Sequence, residues 1–384
     1  MSLLDDLAVK AGDDDVVGGV PARMVAAPTS TEEAAALVAA AQDLSVVIRG
    51  GGTKLHWGNP PRELDLIIDT RRLAGVVEHA AGDLITVVRA GTPMSELHAL
   101  PGQQLALDAP PGATAGGTVA ANASGPRRLR YGTARDLLIG ITVVRPDGRI
   151  AKAGGKVVKN VAGYDLGKLY TGSFGTLGLI TECVFRLHPV PAASAFVRAT
   201  APPGHTARIL GAQLAATAIE VHAAPGTDPE IAVRLEGTAE GVRDRAETVA
   251  GLLDGGEITD EPPPWWGVAP PGDVTVKLTG VLSQVPALVA TAVGAGATVS
   301  GSAGAGVLYA GFPAEGCDPH SRVELLRAAA VRASGHLVVL TAPEGVRDTL
   351  DLWGPVPGLA LMRRVKEQFD PGHRFAPGRF VGGI

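Results

Sequence analysis

Arg49-Gly50-Gly51-Gly52-Thr53-Lys54 sets three glycines, a hydroxyl and two cations side by side. With no Cβ atoms in the way, the glycine amides can turn into one concavity and approach an anion closely, and the diphosphate of a nucleotide is the natural fit. Arg49, Thr53 and Lys54 would add charge and a hydroxyl donor at the rim. The spacing excludes two familiar nucleotide signatures. No Gly-Lys-Ser/Thr follows, as a nucleoside-triphosphate loop requires, and no spaced glycines lead into a helix, as a nicotinamide site requires. A glycine triplet alone is equally a tight turn, so the case depends on what else the chain carries.

Two more glycine-rich stretches follow. Ala109-Pro110-Pro111-Gly112-Ala113-Thr114-Ala115-Gly116-Gly117 opens on a proline-stiffened turn and continues as small-residue helix material to Ala123, with Ser124 and Gly125 behind it. Two readings stay open: a helix N-terminus pointing free N–H groups at an anion, or a closely packed helix whose glycines permit backbone contact. Thr171-Gly172-Ser173-Phe174-Gly175-Thr176-Leu177-Gly178 gives way directly to the β run Leu179 to Phe185, a stretch suited to lining one face of a planar ligand. Between them Arg127-Arg128-Leu129-Arg130 is a short basic run, read first as a solvated turn and second as a phosphate or acidic-partner contact.

The elements that must position these loops are legible. Ser30 and Thr31 with Glu32 and Glu33 start a helix over residues 31 to 43, the acids lying against the positive end of its dipole. Leu44 to Ile48 is then a strand that ends in the first glycine loop, because branched side chains suit a pleated, buried surface. Leu64 to Asp69 is a further strand, and residues 76–78 and 84–90 form a hairpin around Ala81-Gly82-Asp83. Leu137 to Val144 and Ile150 make a strand, a Pro-Asp-Gly turn and another strand.

With 384 residues, 46% hydrophobic and 19% charged, the chain is globular and long enough for two domains. A net charge of -5 gives no general attraction to nucleic acid or anionic membrane. Cys183 and Cys317 stand apart from each other and from any histidine at metal-ligand spacing, which predicts free thiols in a reducing cytoplasm and no iron–sulfur or zinc site. The acidic N-terminus does not read as a signal peptide and no apolar run has membrane-spanning length, so a soluble protein is expected, reaching a membrane only through partners.

Three glycine-rich loops in this order make residues 16 to 189 resemble the FAD-binding domain of the vanillyl-alcohol oxidase and p-cresol methylhydroxylase (PCMH) superfamily. Within it the chain is most similar to the FAD-binding subunits of bacterial glycolate oxidases. The carriers are the block Lys159 to Leu166, the block Gly172 to Gly178, and the C-terminal run Lys366-Glu367-Gln368-Phe369-Asp370-Pro371-Gly372 through Arg379. The resemblance implies an α+β, PCMH-type two-subdomain FAD-binding fold over residues 1–190. A smaller α+β cap domain with an antiparallel sheet over 191–345, and a C-terminal segment, 346–384, returning to the FAD domain, would complete it. It implies that Gly50, Gly51, Gly52 and Thr53 hold the diphosphate, with Arg49 and Lys54 beside them. Pro111, Gly112, Thr114, Gly117, Ser124 and the adjoining Gly125 would follow the phosphate and ribityl region, and the Ile180 backbone would meet the ring edge. Members with covalent flavin often carry a histidine where this chain has Thr53, so non-covalent FAD is expected, with His56 a rim residue or simply exposed.

From Ala195 the pattern becomes alternating strands and helices, predicting an antiparallel sheet covered on one face. Pro262-Pro263-Pro264-Trp265-Trp266 interrupts it, the tryptophans either tucked in or offered to a partner. Related 2-hydroxy-acid dehydrogenases carry a histidine cluster beside Gly-Asp-Gly-Asn in this region, and nothing here matches it: His222, His320 and His336 stand singly. No catalytic residue is assigned. Arg363, Arg364 and Lys366 either contact flavin or substrate or merely decorate the last helix. Three readings follow. The first is an FAD-carrying subunit of a glycolate oxidase complex, working with a second flavoprotein subunit and an iron–sulfur subunit. The others are a self-sufficient FAD-dependent dehydrogenase of glycolate or D-lactate, and a flavin-free scaffold.

Overall fold

The computed structural model describes Leu4 and residues 7–98, 100–156 and 164–384. Of the Lys159–Leu166 block, residues 159–163 lie outside the described residues. The chain divides into two compact units, one of residues 1–124, 132–190 and 356–384, the other of residues 125–131 and 191–355. The break after residue 190 falls where the sequence pattern changes. The first unit takes up the chain again from residue 356, and the basic run groups with the second unit.

The first unit opens with β1 (Ala8–Lys10), β2 (Met24–Ala26), α1 (Thr31–Ala40), β3 (Val46–Arg49) and β4 (Leu66–Asp69). The strand order is β1-β2-β4-β3, with β4 parallel to both its neighbours. All four residues of β4 are buried: Leu66, Ile67 and Ile68 as an apolar run between two parallel partners should be, and Asp69 paired with Arg49 and Arg71. Ser30 caps α1 by accepting from the Glu33 amide at 3.0 Å, while the Glu33 carboxylate accepts from the Thr29 amide and hydroxyl. The outer edge of β3 is covered by the C-terminal segment: the Val46 amide donates to Arg374 O at 2.7 Å and the Ala376 amide to Val46 O at 2.7 Å. A residue more than 300 positions downstream thus fixes the strand that delivers the first glycine loop.

The second sheet of this unit comprises β5 (Val76–Ala80), β6 (Ile85–Arg89), β7 (Leu138–Val144), β8 (Ile150–Gly154) and β9 (Leu179–Arg186). It is antiparallel in the order β8-β7-β9-β6-β5. Val88, Leu105, Val119, Ile141, Cys183 and Phe185 form its core together with α2 (Ala115–Ala120). The buried Cys183 thiol is held far above its usual pKa by that burial, and Cys183 and Cys317 are both free.

In the second unit eight strands form one antiparallel sheet: β10 (Ala193–Thr200), β11 (Ala218–Ala223), β12 (Glu230–Gly237), β13 (Glu257–Thr259), β14 (Val274–Thr279), β15 (Thr298–Ser302), β16 (Val307–Phe312) and β17 (Leu337–Thr341). Their order is β13-β10-β12-β11-β15-β16-β14-β17. Helices α3 (Ala239–Leu252), α4 (Val285–Gly294) and α5 (Pro319–Arg332) supply buried residues to the two apolar cores of the unit. β15, Thr-Val-Ser-Gly-Ser, carries no strand pattern in the sequence, yet it joins the two halves of the sheet by pairing with β11 and β16. Gly301 is required there, because a Cβ would lie 2.6 Å from Val307 O. After β10 a short helix runs from His205 to Gly211, and Gln213 and Ala215 beyond it adopt positive φ, which ends it. The basic run is not a solvated turn: Arg128–Tyr131 is a helical turn, and Arg127 is 7% exposed. The tryptophans are tucked in, Trp265 stacked on His222 and Trp266 edge-on to Phe196.

Candidate functional site

A cleft in the first unit is lined by all three glycine loops. The first contributes Gly50 through Leu55. The amides of Gly51, Gly52, Thr53 and Lys54 donate to no group among the described residues, whereas the carbonyls of Gly52 and Lys54 are taken by the Leu55 and Trp57 amides. The loop therefore spends its acceptors internally and leaves successive donors open, the makings of an anion nest. Gly52 has φ +74, which lets the chain turn back on itself. Gly51 must be glycine for another reason: a Cβ there would stand 1.7 Å from Gly112 O. First and second loops touch backbone to backbone.

The second loop decides between its two readings residue by residue. The first-turn amides of α2 are already used: Ala115 donates to Thr92 O, Gly116 to Ala90 O, Gly117 to Thr114 Oγ1 and Thr118 to Thr114 O. They are not free for an anion. Gly116 is a packing glycine, since a Cβ would meet Ala90 Cβ at 2.6 Å. Thr114 and Gly117 do line the cleft, and the exposed Gly117 gives a ligand close access to backbone. Pro111 and Gly112 are exposed and lie outside the lining.

From the third loop come Phe174, Gly175, Gly178 and Ile180, and the amides of Gly175 and Gly178 have no partner among the described residues. Phe174, Gly175 and Gly178 belong to the stretch expected to line a planar ligand, whereas Arg379 is a lining residue that the sequence pattern does not assign to the site. Arg379 is 4% exposed and donates through Nη2 to Leu55 O and Trp57 O, both at 2.7 Å. Its partners are all carbonyls, and burial lowers its pKa to about 10. Lys54 has no acid partner among the described residues either; its ammonium lies 5.4 Å from the Trp57 ring centroid, and burial lowers its pKa to about 8. Partial burial, then the charges of Lys54 and Arg379, also lower the pKa of His56, which is exposed at the rim. Two cations with no carboxylate paired to them among the described residues make the cleft electropositive. The signal for Arg379 was in the C-terminal Pro-Gly-Arg, but nothing in the local pattern says where that segment docks.

Two expected residues have structural partners instead. Arg49 is held by Asp15 at 2.7 Å and Asp69 at 2.9 Å, tying the N-terminal loop to β4. Lys366 is 1% exposed and donates to Asp370, Thr176 O and Phe375 O, at 2.6, 2.8 and 2.9 Å. Neither lines the cleft. Ser124 lies outside the lining, and Gly125, in the second unit, accepts from the Arg128 amide and Nε. Among the described residues there is no cluster of three or more His, Cys, Asp or Glu able to hold a metal, and no helix is long and apolar enough to cross a membrane.

Residues 22–154 match the FAD binding domain family. Over 159 residues the chain is 38% identical to glycolate oxidase subunit GlcE of Escherichia coli, covering 40% of this chain and 45% of that one. Over 152 residues it is 38% identical to D-lactate dehydrogenase of Archaeoglobus fulgidus, covering 38% and 34%. The chain thus spans less than half the length of these curated relatives. The crystal structure of p-cresol methylhydroxylase with substrate bound superposes with a TM-score of 0.69 over 98% of this chain and 94% of that one, at 14% identity. The fold is therefore the PCMH-type FAD-binding fold, and FAD is the cofactor its binding domain takes.

Proposed function

We propose that this chain is the FAD-carrying subunit of a complex that oxidises a small 2-hydroxy acid, glycolate foremost, to the corresponding 2-oxo acid. The observation that carries the reading is the run of four amides, Gly51 to Lys54, left without partners among the described residues in a cleft that also holds Lys54 and Arg379 with no acid among those residues to neutralise them. Gly51, Thr53 and Lys54 are half-buried and Gly52 is open to the cleft, so an anionic diphosphate could accept from these amides and balance the cations beside them at once. The similarity to a glycolate oxidase subunit supports the choice of reaction.

In this reading the residues divide the work by chemistry. The amides of Gly51, Gly52, Thr53 and Lys54 bind diphosphate oxygens, and the Lys54 ammonium balances their charge. Arg379 is a positioning residue, holding the Leu55 and Trp57 carbonyls so that the loop keeps its amides turned inward. Thr114 and Gly117 admit the chain of the cofactor on one side, and Gly175, Gly178 and Ile180 border it on another. When bound, the flavin supplies an acceptor for the hydride equivalent of the hydroxy acid. Among the described residues no histidine, cysteine or tyrosine lines the cleft, which supports non-covalent attachment. Acid precipitation should release the yellow colour to the supernatant; fluorescent protein in the pellet would overturn this.

The relative's being a glycolate oxidase subunit supports assembly with other subunits, and the reading assigns these as a second flavoprotein subunit and an iron–sulfur subunit to take the electrons onward, with any membrane association made through them. A second reading, a self-sufficient dehydrogenase, is favoured by the equal identity to D-lactate dehydrogenase. Dye-linked turnover separates the two. Glycolate oxidation only after coexpression with partner subunits supports the first, and turnover of glycolate or D-lactate by the purified chain alone supports the second.

A further inference from the structure

The face of the second unit's sheet opposite the apolar cores carries a row of polar side chains set directly across from one another. Glu230 on β12 pairs with His222 on β11, His222 with Ser300 on β15, Ser300 with Tyr309 on β16, and Tyr309 with Lys277 on β14. Direct opposition puts all five on one face. One end of the row is internally satisfied. His222 Nδ1 lies 2.9 Å from Ser300 Oγ, its ring stacks on Trp265 with centroids 5.4 Å apart, and Trp265 Nε1 donates to Glu230 at 3.2 Å. Burial lowers the His222 pKa although Glu230 opposes it, so the imidazole is neutral at pH 7.

The other end is not satisfied. Lys277 is partly buried, and its side chain forms no ion pair or hydrogen bond among the described residues. The charged and titratable groups acting on it are Tyr309, across the strand pair, and Arg128, which donates to the Tyr309 hydroxyl at 3.3 Å. Burial depresses the Lys277 pKa, Tyr309 raises it and the Arg128 charge lowers it. A lysine held for packing alone would extend its ammonium to water or to a carboxylate. This one is held beside a second cation.

We propose that Lys277, Tyr309 and Arg128 form a binding site for the carboxylate of a small organic acid, with Ser300 next along the row to meet its hydroxyl. Adjacent strands lie about 4.8 Å apart, so an acid anchored between β14 and β16 reaches β15 with only two or three carbons. The choice of a 2-hydroxy acid rests on the function proposed above; the anion site itself does not.

Calorimetric titration of the purified full-length chain with oxalate, a planar two-carbon carboxylate, tests the site. Inorganic phosphate serves as the comparison anion. Oxalate should bind; Lys277→Met should weaken it about thirtyfold, and Lys277→Arg by no more than about threefold. Tyr309→Phe, which keeps the ring and removes the hydroxyl, should weaken it about fivefold and covers the case in which Lys277→Met fails to fold. FAD content, read by visible absorbance, should be the same in all variants. Absence of oxalate binding, unchanged affinity in Lys277→Met or in Tyr309→Phe, or phosphate binding as tightly with the same dependence on Lys277 would overturn the site. A wild-type chain that binds oxalate through Lys277 but takes no FAD would sink the flavoprotein reading and leave the anion site standing.

Discussion

Gly51→Ala is the sharpest test of how the cleft is built. An added Cβ would lie 1.7 Å from Gly112 O and 2.8 Å from Gly112 C. Both are backbone atoms, which cannot rotate out of the way. Contacts below 3.0 Å are essentially never seen for real Cβ atoms, so the two loops must part by at least 3.0 − 1.7 = 1.3 Å. A displacement of that size stretches an amide-to-phosphate hydrogen bond of about 2.9 Å beyond about 4 Å, where it no longer counts. A hydrogen bond to a charged group contributes about 1.5–3 kcal/mol, so loss of two weakens FAD by about 3–6 kcal/mol, on the order of a hundred- to ten-thousandfold in Kd. Overpacking would cost the fold a further ~1–3 kcal/mol. The assay is reconstitution of apoprotein with FAD followed by flavin fluorescence, with thermal unfolding alongside. Gly82→Ala is the control: no atom lies within 4 Å of its Cβ position and its φ is not positive, so it should match wild type in both readouts. If folded Gly51→Ala binds FAD within about threefold of wild type, the diphosphate does not sit on this pair of loops.

Two further outcomes are expected. With Lys54 lowered to about 8 in the free protein, its ammonium deprotonates as pH rises through that value. A bound diphosphate raises the pKa again, so binding takes up a proton; FAD affinity should hold below about pH 8 and fall up to tenfold per pH unit above it. In Lys54→Met that segment of the pH titration of Kd should be flat, and a retained slope would remove Lys54 from the site. Lys366→Met leaves Asp370, 1% exposed, without its ammonium and strips the Thr176 and Phe375 carbonyls of a donor. Breaking such a buried pair costs about 3–5 kcal/mol, measured by urea unfolding, and a loss under about 1 kcal/mol would show that the pair does not hold the C-terminal segment in place.

Much of the first unit is legible because its signals are local. Ser30 with Glu33 announces a helix, Val46-Val47-Ile48 a buried strand, and Gly50-Gly51-Gly52 a loop that no other residue type could form there. The strand Thr298–Ser302 is illegible for the opposite reason: its polar, glycine-containing run becomes a strand only because β11 and β16 stand on either side to receive its hydrogen bonds. The charges show the same divide. Arg49 sits in the right stretch for ligand contact, but it faces the buried Asp69, 20 positions on, while Arg379 reaches the cleft by holding Leu55 O, 324 positions back, so the destination of each cation is set by residues the local pattern does not contain.

By itself the sequence determined the three glycine loops, their order and the kind of anion they suit, since the freedom of a glycine backbone and the identity of a side chain are properties of single residues. Only the tertiary structure decided which amides were spent and which stayed open, and that Arg379 rather than Arg49 stands at the cleft. Hydrogen-bond satisfaction is a property of pairs, and the pairs that matter here are made between segments that meet only when the chain has folded.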